Sequence, residues 1–358
     1  MKVRIVCYEE VNAWILGKFA RRLNEELLKL GVDSDIAKET DAKADINHHI
    51  IYVDFDETKA SGKDTMMITH INDIRRLNQL VRQLEVVKLG ICMSRSMVDQ
   101  LVLAGLPAGK LCYVSPAHDQ VMTPEPYTIG ISSKVQPDGC KREDMLTKLS
   151  EHISPAFYKF KIMGAGWDEI VSDLRRKGFI VLYEPDFNYD EYIKLIQSLD
   201  YYLYFGMEEG SMGFIDALAA GVKTIVTVDG YHKDAENGIV HPFVTMEELV
   251  AVFESITKER QKLLDAVATW TWKDYALKHM ELWNYILSPE KQIASAYKDG
   301  LNSLIHKNDS MPSSKKYFYL LDLYWGAWSR TYYKIKKGFS DYETFKKKSR
   351  SFLRNIFK

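Results

Sequence analysis

The chain has 358 residues, of which 46% are hydrophobic and 27% are charged, and its formal net charge is −1. This length suits two domains of ordinary size, and this composition is typical of a globular protein. Because no run of about 18 uncharged apolar residues occurs, the sequence predicts no membrane-spanning helix. The early charges at the N-terminus likewise predict no signal peptide. The four cysteines show no paired spacing, which predicts reduced thiols in a cytosolic protein and neither disulfides nor zinc.

The charges are unevenly distributed along the chain. From Lys315 to Lys358 there are twelve Lys and Arg but only three Asp and Glu, so this stretch carries nine excess positive charges. The rest of the chain is correspondingly acidic. Such an asymmetry indicates a basic tail with a role of its own.

Strand-like and helix-like segments alternate through the first third of the chain. The predicted strands are Val3–Cys7, Ile50–Val53, Met66–Thr69, Leu89–Met93 and Leu111–Ser115, and the predicted helices are Trp14–Leu30, Ile74–Val87 and Ser96–Leu103. Alternation of this kind predicts a parallel sheet with helices on both faces.

Three prolines, Pro116, Pro124 and Pro126, then predict a stiff connector. The alternation restarts with strands at Tyr127–Ser132, Phe160–Met163 and Phe179–Leu182 and helices at Asp144–Ile153, Asp168–Lys177, Tyr189–Ser198, Glu247–Ile256 and Glu259–Ala266. The predicted fold class is therefore α/β with two Rossmann-like, doubly wound domains. We place the first domain at residues 1–122, the second at 123–300, and a helical, basic, aromatic-rich tail at 301–358.

The most informative stretch is 207–221, which reads Met-Glu-Glu-Gly-Ser-Met-Gly-Phe-Ile-Asp-Ala-Leu-Ala-Ala-Gly between two apolar runs. This pattern predicts a strand, a glycine-bearing loop, a short helix and a strand. Glycines let the backbone approach a ligand, and the start of a helix offers free N–H groups that suit a diphosphate. Glu208 and Asp216 can accept hydrogen bonds from sugar hydroxyls. The pattern fits a nucleotide-sugar site, and the alternative is an ordinary strand–loop–helix with solvated acids.

This stretch resembles the retaining glycosyltransferases of the GT-B fold, family four, whose motif has two glutamates separated by seven residues. Glu208 takes the first position and Asp216 the second, where aspartate replaces the family's glutamate. Further matches follow the family's order as far as about residue 287. They are the segments 105–111 (Gly-Leu-Pro-Ala-Gly-Lys-Leu), 164–166 (Gly-Ala-Gly), 236–240 (Glu-Asn-Gly-Ile-Val) and 270–272 (Trp-Thr-Trp).

The resemblance implies transfer of a sugar from a nucleotide-diphosphate sugar, with retention of configuration and without a metal or other cofactor. It also implies two Rossmann-like domains that face each other across a cleft. Glu208 would contact the donor sugar, backbone N–H groups near Ser211 and Met212 would hold the diphosphate, and Asp216 would bind the ribose.

The family grips the diphosphate with an Arg and a Lys about five residues apart, just after the first strand of the second domain. In this chain the candidates are Lys134 and Lys141, with Arg142 in reserve. Their spacing is seven residues, and Lys stands for Arg, which keeps a point charge but loses the bidentate fork. The alternative is a set of basic residues on a solvated loop.

In the first domain, the family often has Thr-x-His-Asp where this chain has His70, and the resemblance places that histidine beside the reacting sugar to orient it. His48 and His49 on the preceding strand are rivals for this role. The family's glycine-rich loop after the first strand is absent. We predict that Glu9, Glu10 and Trp14 shape an acceptor pocket there, or else form a helix N-terminus.

Asp54-Phe55-Asp56 mimics the Asp-x-Asp metal site of the other major glycosyltransferase fold. We favour a structural role for these carboxylates because the surrounding chain fits GT-B, and we predict no metal site.

Aromatic and basic residues are interleaved through 315–358, which suits the headgroups of an anionic membrane. The sequence thus predicts a cytoplasmic enzyme, peripheral on the inner face of the cell membrane, that transfers sugar to a glycan or lipid-linked acceptor in surface polysaccharide biosynthesis. The tail's alternative is a helix pair packed on the first domain or a second subunit, and the oligomeric state is left open. The acidic body argues against nucleic acid. Two rival functions are a nucleotide-sugar 2-epimerase of the same fold and a non-catalytic GT-B-like partner subunit.

Overall fold

The computed structural model describes residues 1–136, 138–288 and Leu323. They form two compact units. The N-terminal unit comprises Met1–Asp119 and the segment that begins at Thr269, and the central unit comprises Gln120–Ala268. The predicted second domain, 123–300, therefore ends too late. The segment after Thr269 belongs to the N-terminal unit because its helix buries aromatic side chains in that unit's core.

The N-terminal unit is built on a sheet of six parallel strands in the order β2-β1-β3-β4-β5-β6. The strands are β1 (Lys2–Val6), β2 (Asp33–Ala37), β3 (Ile46–His49), β4 (Asp64–Ile68), β5 (Leu89–Cys92) and β6 (Leu111–Tyr113). The helices that precede the central unit are α1 (Ile15–Lys29), α2 (Ile74–Val86) and α3 (Arg95–Leu103). Strands β3, β4 and β5 are buried along their whole length, as parallel strands covered on both faces must be.

The central unit repeats this plan with the strand order β12-β11-β10-β7-β8-β9. Its strands are β7 (Tyr127–Ser132), β8 (Tyr158–Met163), β9 (Val181–Glu184), β10 (Tyr201–Tyr204), β11 (Lys223–Thr227) and β12 (His241–Phe243). Its helices are α4 (Asp144–Leu149), α5 (Asp168–Arg176), α6 (Tyr189–Gln197), α7 (Met212–Ala219) and α8 (Met246–Asp265). Helix α9 (Trp272–Leu287) returns to the N-terminal unit. The predicted α/β class with two doubly wound units is confirmed.

The strand order of the central unit reverses between β7 and β10. The chain leaves β7 for β8 and β9 on one side and then returns to place β10 and β11 on the other side. The loops after β7 and β10 therefore diverge, and a crevice opens at their carboxyl ends. This is where doubly wound sheets bind ligands.

Some local predictions were wrong. The predicted strand at Ile50–Val53 is displaced, because the strand is β3 and residues Tyr52–Asp54 form a 3₁₀ turn. The two helices predicted at 247–256 and 259–266 are one continuous helix, α8, which begins with a capping box at Thr245 and Glu248.

Among the helices that the structure describes, none combines the length and the apolar character needed to cross a membrane. The predicted tail, 301–358, and its proposed membrane surface, 315–358, lie outside the described residues except for Leu323. That leucine is 4% exposed and packs in the core of the N-terminal unit.

Candidate functional site

A cavity of about 580 Å³ opens in the central unit at the carboxyl ends of β7, β8, β9 and β10. Its volume is within the range of small-molecule sites. It lies where the strand order reverses, and four chain segments line it: the loop after β7, the turn after β8, the loop between β9 and α6, and the start of α7. All four segments belong to one unit, so the cavity is a property of the central unit alone.

The start of α7 presents backbone N–H groups to this cavity. Met212 and Gly213 are the first two residues of the helix, and both line the cavity. N–H groups at these positions have no acceptor within the helix. Ser211 precedes them at the capping position, yet its side chain makes no cap hydrogen bond. The positive end of α7 is thus left open toward the cavity.

The Ser211 hydroxyl is diverted into a buried network beneath the cavity. Its Oγ lies 2.7 Å from the Tyr202 hydroxyl, which lies 3.1 Å from Ser132 Oγ. Burial raises the pKa of Tyr202 to about 12, so the phenol stays protonated and bridges the two serines. The network therefore joins Ser132, the last residue of β7, to Ser211, the residue immediately before α7.

A histidine that the sequence reasoning missed fixes the same loop. The Ser211 backbone N–H donates to His232 Nε2 at 2.9 Å, and His232 Nδ1 lies 3.0 Å from the Thr227 carbonyl oxygen. Because a carbonyl oxygen only accepts, the hydrogen is on Nδ1 and the Nε2 lone pair is free to accept. This corrects the predicted role of Ser211, since its own N–H is occupied and only the following N–H groups remain for a ligand.

Close backbone packing reinforces this arrangement. Gly210 has a φ of 123°, and a Cβ placed there would lie 2.8 Å from the Tyr231 ring. The Tyr231 N–H in turn donates to the Glu209 carbonyl oxygen at 2.9 Å. The loop from Glu208 to Ser211 is therefore clamped by the segment after β11 and has one defined path.

Lys141 and Glu208 meet beside the cavity as an ion pair. Lys141 Nζ contacts Glu208 Oε1 and also donates to the Tyr204 hydroxyl at 3.0 Å, while that hydroxyl donates to the same Glu208 oxygen. Burial acts to raise the pKa of Glu208, but the hydrogen bonds from Lys141 and Tyr204 outweigh it and leave the pKa below its usual value. Glu208 is therefore ionised at neutral pH, and it forms an ion pair with Lys141.

Arg142 does not line the cavity and serves the backbone. Its Nε donates to the Phe205 carbonyl oxygen at 2.8 Å and its Nη1 to the Val244 carbonyl oxygen at 2.9 Å. Its φ of 48° is in the left-handed region, which disfavours a residue with a Cβ. The predicted reserve role in binding phosphate is replaced by one in holding the loop that carries Lys141.

Lys134 lines the cavity and is exposed. Its loop is held from behind, because Trp167 Nε1 donates to the Ser133 carbonyl oxygen at 2.7 Å and the Val135 N–H donates to the Ala165 carbonyl oxygen at 2.9 Å. Within the described residues, no hydrogen bond or ion pair engages the Lys134 ammonium group. It is the cavity's available positive charge.

Asp216 faces the cavity from α7, and its Oδ2 accepts a hydrogen bond from the Tyr192 hydroxyl at 2.5 Å. Its other carboxylate oxygen keeps its accepting capacity. Nearby, Phe187 and Tyr189 line the cavity and are 68% and 65% exposed, and Met212 is 65% exposed. Exposed aromatic faces of this kind suit stacking on a planar ring.

The predicted site residues of the N-terminal unit lie after two strands of its sheet: Glu9, Glu10 and Trp14 after β1, and His70 after β4. His70 follows β4, is exposed, and its carbonyl oxygen accepts from the buried Tyr52 hydroxyl at 2.9 Å. Glu10 pairs with Lys38 at 2.8 Å, and Trp14, 73% exposed, is the residue immediately before α1. Glu9 has a buried carboxylate oxygen that has no hydrogen-bond partner among the described residues.

The two rivals of His70 are buried on β3. His48 is 0% exposed and His49 is 1% exposed. Asp56 accepts from the Thr58 N–H at 3.0 Å and so caps a 3₁₀ turn. In the described parts of the chain, no three His, Cys, Asp or Glu side chains converge to hold a metal ion.

No protein-family model and no curated protein matches the chain. Among solved structures, it is similar to the apo form of the lipopolysaccharide outer core galactosyltransferase WaaB, at 12% identity over 81% of this chain and 100% of that one, with a TM-score of 0.32. It is similar to Anabaena HepE in complex with UDP and glucose, at 11% identity over 87% of this chain and 100% of that one, with a TM-score of 0.32. It is also similar to a sucrose-phosphate synthase of Thermosynechococcus elongatus, at 13% identity over 80% and 99%, with a TM-score of 0.32.

Proposed function

We propose that the chain is a glycosyltransferase that binds a nucleotide-diphosphate sugar in the cavity of the central unit. The observation that carries the proposal is one cavity lined by open N–H groups at the start of α7, by two lysines and by Asp216, with Glu208 paired to one of those lysines. A diphosphate needs the first two features, and the hydroxyls of ribose and donor sugar need the carboxylates.

On this proposal, different groups of the cavity would bind different parts of the donor. The N–H groups of Met212 and Gly213 and the ammonium groups of Lys134 and Lys141 would bind the diphosphate and stabilise it as it departs. Glu208 would accept from hydroxyls of the donor sugar, and Asp216 from the ribose. Phe187 and Tyr189 would flank the base. On this proposal the protein supplies the positive charge itself, so transfer proceeds without a metal.

The finer parts rest on the resemblance in the sequence. We propose retention of configuration, with the departing diphosphate accepting the proton of the acceptor hydroxyl. We further propose a glycan or lipid-linked acceptor in surface polysaccharide biosynthesis and a peripheral position on the inner face of the cell membrane.

The test is a thermal-shift titration of the purified chain with UDP, GDP, ADP and CMP. A ligand at about 100 times its dissociation constant adds about 2.7 kcal/mol to stability. We expect stabilisation by one nucleoside diphosphate, and a clearly smaller stabilisation at the same concentration in Lys141→Met. Lys148→Met is the matched control, because Lys148 is 60% exposed and pairs with Asp144 within α4.

Product analysis then separates enzyme classes. A sugar joined to an added acceptor supports a transferase, whereas free nucleotide with an epimerised sugar supports the 2-epimerase. If none of the nucleotides stabilises the protein, the proposed donor site is overturned. The remaining candidate function is then the non-catalytic partner subunit.

A further inference from the structure

Three ionisable side chains of the N-terminal unit form a hydrogen-bonded chain. His49 Nε2 lies 2.9 Å from Asp64 Oδ1, and His49 Nδ1 lies 2.9 Å from the Tyr8 hydroxyl. Asp64 is 0% exposed and His49 is 1% exposed, whereas Tyr8 is half-buried. These three hydrogen-bonded side chains thus run from the buried carboxylate of Asp64 toward the surface and end at the phenol of Tyr8.

The position of the hydrogens follows from the partners. Burial acts to raise the pKa of Asp64, but hydrogen bonds from His49 and Ser61 outweigh it and leave the pKa below its usual value. An ionised carboxylate only accepts, so His49 carries a hydrogen on Nε2. With the hydrogen on Nε2, Nδ1 offers the lone pair that accepts the Tyr8 hydrogen. The Tyr8 oxygen has given its one hydrogen inward and has lone-pair capacity left for an incoming donor.

Two of the three residues, Tyr8 and His49, lie at the edge of the sheet where ligands bind, whereas Asp64 is the first residue of β4. Tyr8 comes two residues after β1, and His49 is the last residue of β3, which pairs with β1 in parallel. Both residues are therefore at the carboxyl ends of adjacent strands. The loop after β1 also carries Glu9, Glu10 and Trp14, the residues predicted to shape an acceptor pocket.

The surroundings of the Tyr8 hydroxyl are negatively charged. Burial, and then the carboxylates of Asp64, Asp54 and Asp56, raise the pKa of Tyr8. Asp54 and Asp56 are exposed. Such a field repels phosphate and carboxylate groups and favours neutral groups that donate hydrogen bonds.

We propose that Tyr8 is a binding residue for the acceptor, that its oxygen accepts a hydrogen bond from a hydroxyl of an uncharged carbohydrate, and that His49 and Asp64 are positioning residues that fix this polarity. The proposal rests on the proposed function and narrows its acceptor from any glycan to one whose bound portion carries hydroxyls and no phosphate.

The experiment measures transfer from the nucleotide sugar chosen by the donor titration to two sets of probes, octyl glycosides of neutral hexoses and the corresponding hexose phosphates. Wild type, Tyr8→Phe and His49→Gln are compared. Tyr285→Phe is the matched control, because it removes the same hydroxyl from a side chain of α9 that is 41% exposed in the same unit. Donor KM and thermal midpoint are recorded for each variant.

We expect Tyr8→Phe to raise the acceptor KM by about tenfold, the loss of one hydrogen bond, with the donor KM unchanged. His49→Gln should likewise raise the acceptor KM and leave the donor KM unchanged. The wild-type protein should prefer the neutral glycosides. A merely structural role would lower the thermal midpoint without changing the acceptor KM.

Two results overturn the inference while leaving the proposed function intact: a wild-type acceptor KM in folded Tyr8→Phe, or a wild-type preference for hexose phosphates. A wild-type protein that binds no nucleoside diphosphate overturns the proposed function and this inference together.

Discussion

Lys141 and Glu208 are the two halves of one ion pair, but neutralising each should change nucleotide binding in opposite directions. Lys141 would contribute positive charge to the diphosphate, whereas Glu208 at present neutralises that charge. In Glu208→Gln the lysine keeps a hydrogen-bonding neighbour without a competing negative charge. In Lys141→Met the diphosphate would instead meet an uncompensated carboxylate.

The two substitutions should change affinity by different amounts, because Glu208→Gln removes only the ion pair with Lys141, whereas Lys141→Met removes a charged hydrogen bond to the diphosphate. The side chains are 16% and 33% exposed, so the pair is partly buried but still reached by solvent, and we take the coupling of solvent-screened pairs, about 0.2–1 kcal/mol, as its lower range. Release of Lys141 should therefore tighten the binding of a nucleoside diphosphate by about 1.4- to 5-fold. Loss of a hydrogen bond to a charged group removes about 1.5–3 kcal/mol, so Lys141→Met should weaken binding by about 10- to 150-fold.

The assay is isothermal titration of each variant with the free nucleoside diphosphate and with its sugar conjugate, at one ionic strength because screening alters the pair. Glu208→Gln should bind the free diphosphate at least as tightly as wild type but lose the gain that the sugar provides. Glu209→Gln is the control, since Glu209 is the adjacent, exposed acid.

Equal losses of diphosphate affinity in Glu208→Gln and Lys141→Met would refute this reasoning. That result would mean that the pair only maintains the shape of the loop. An unchanged affinity in Lys141→Met would remove Lys141 from the donor site and leave Lys134 as the cavity's phosphate-binding lysine.

Three further outcomes are expected. His232→Leu should weaken nucleotide binding by about tenfold in the same titration, because the Ser211 N–H loses its acceptor, and His232→Gln should recover part of it through the amide oxygen. Acid should destabilise the fold, because burial lowers the pKa of His279 to about 4 and that of His48 well below 6.5. Since the unfolded chain takes up these protons first, stability is complete above about pH 6.5 and falls toward pH 4, by roughly 3 kcal/mol for His279 alone. Urea unfolding at several pH values checks this, and a pH dependence in His279→Gln as steep as that of wild type would contradict it. Trp167→Phe should lower the unfolding free energy by about 1–3 kcal/mol, since it leaves the partly buried Ser133 carbonyl oxygen without its donor, and a midpoint equal to that of wild type would count against this.

The sequence predicted the elements that are apolar runs between clear boundaries. Strand β7 was predicted to the residue because Pro126 precedes its apolar run and a polar loop follows it. Strand β2 was missed because three of its five residues are Asp, Ser and Asp, which do not show the apolar pattern of a buried strand. Its place at the edge of the sheet permits this polarity.

The candidate site was predictable only in its local part. The loop and helix at 207–221 follow from glycine spacing, but the contact of Lys141 with Glu208 joins residues 67 apart and follows from the strand order alone. His232 lies 21 residues from Ser211 in a segment with no motif. The adjacent histidines of β3 did carry a signal, because buried imidazoles in an apolar strand need hydrogen-bond partners, as His49 has in Tyr8 and Asp64.

The start of α7 shows how a local rule fails where a ligand is expected. Wherever Ser, Thr, Asp or Asn immediately precedes another described α-helix, its side chain caps that helix; the helices are α2, α3, α6, α8 and α9. Ser211 has the right residue type in the right place, yet Tyr202 holds its hydroxyl beneath the cavity. Loss of such a cap costs about 1 kcal/mol, and local rules are most often broken at functional sites. A diphosphate bound to the open N–H groups would supply the missing hydrogen bonds. The missing Ser211 cap, which makes α7 less stable by itself, would therefore strengthen binding of the diphosphate.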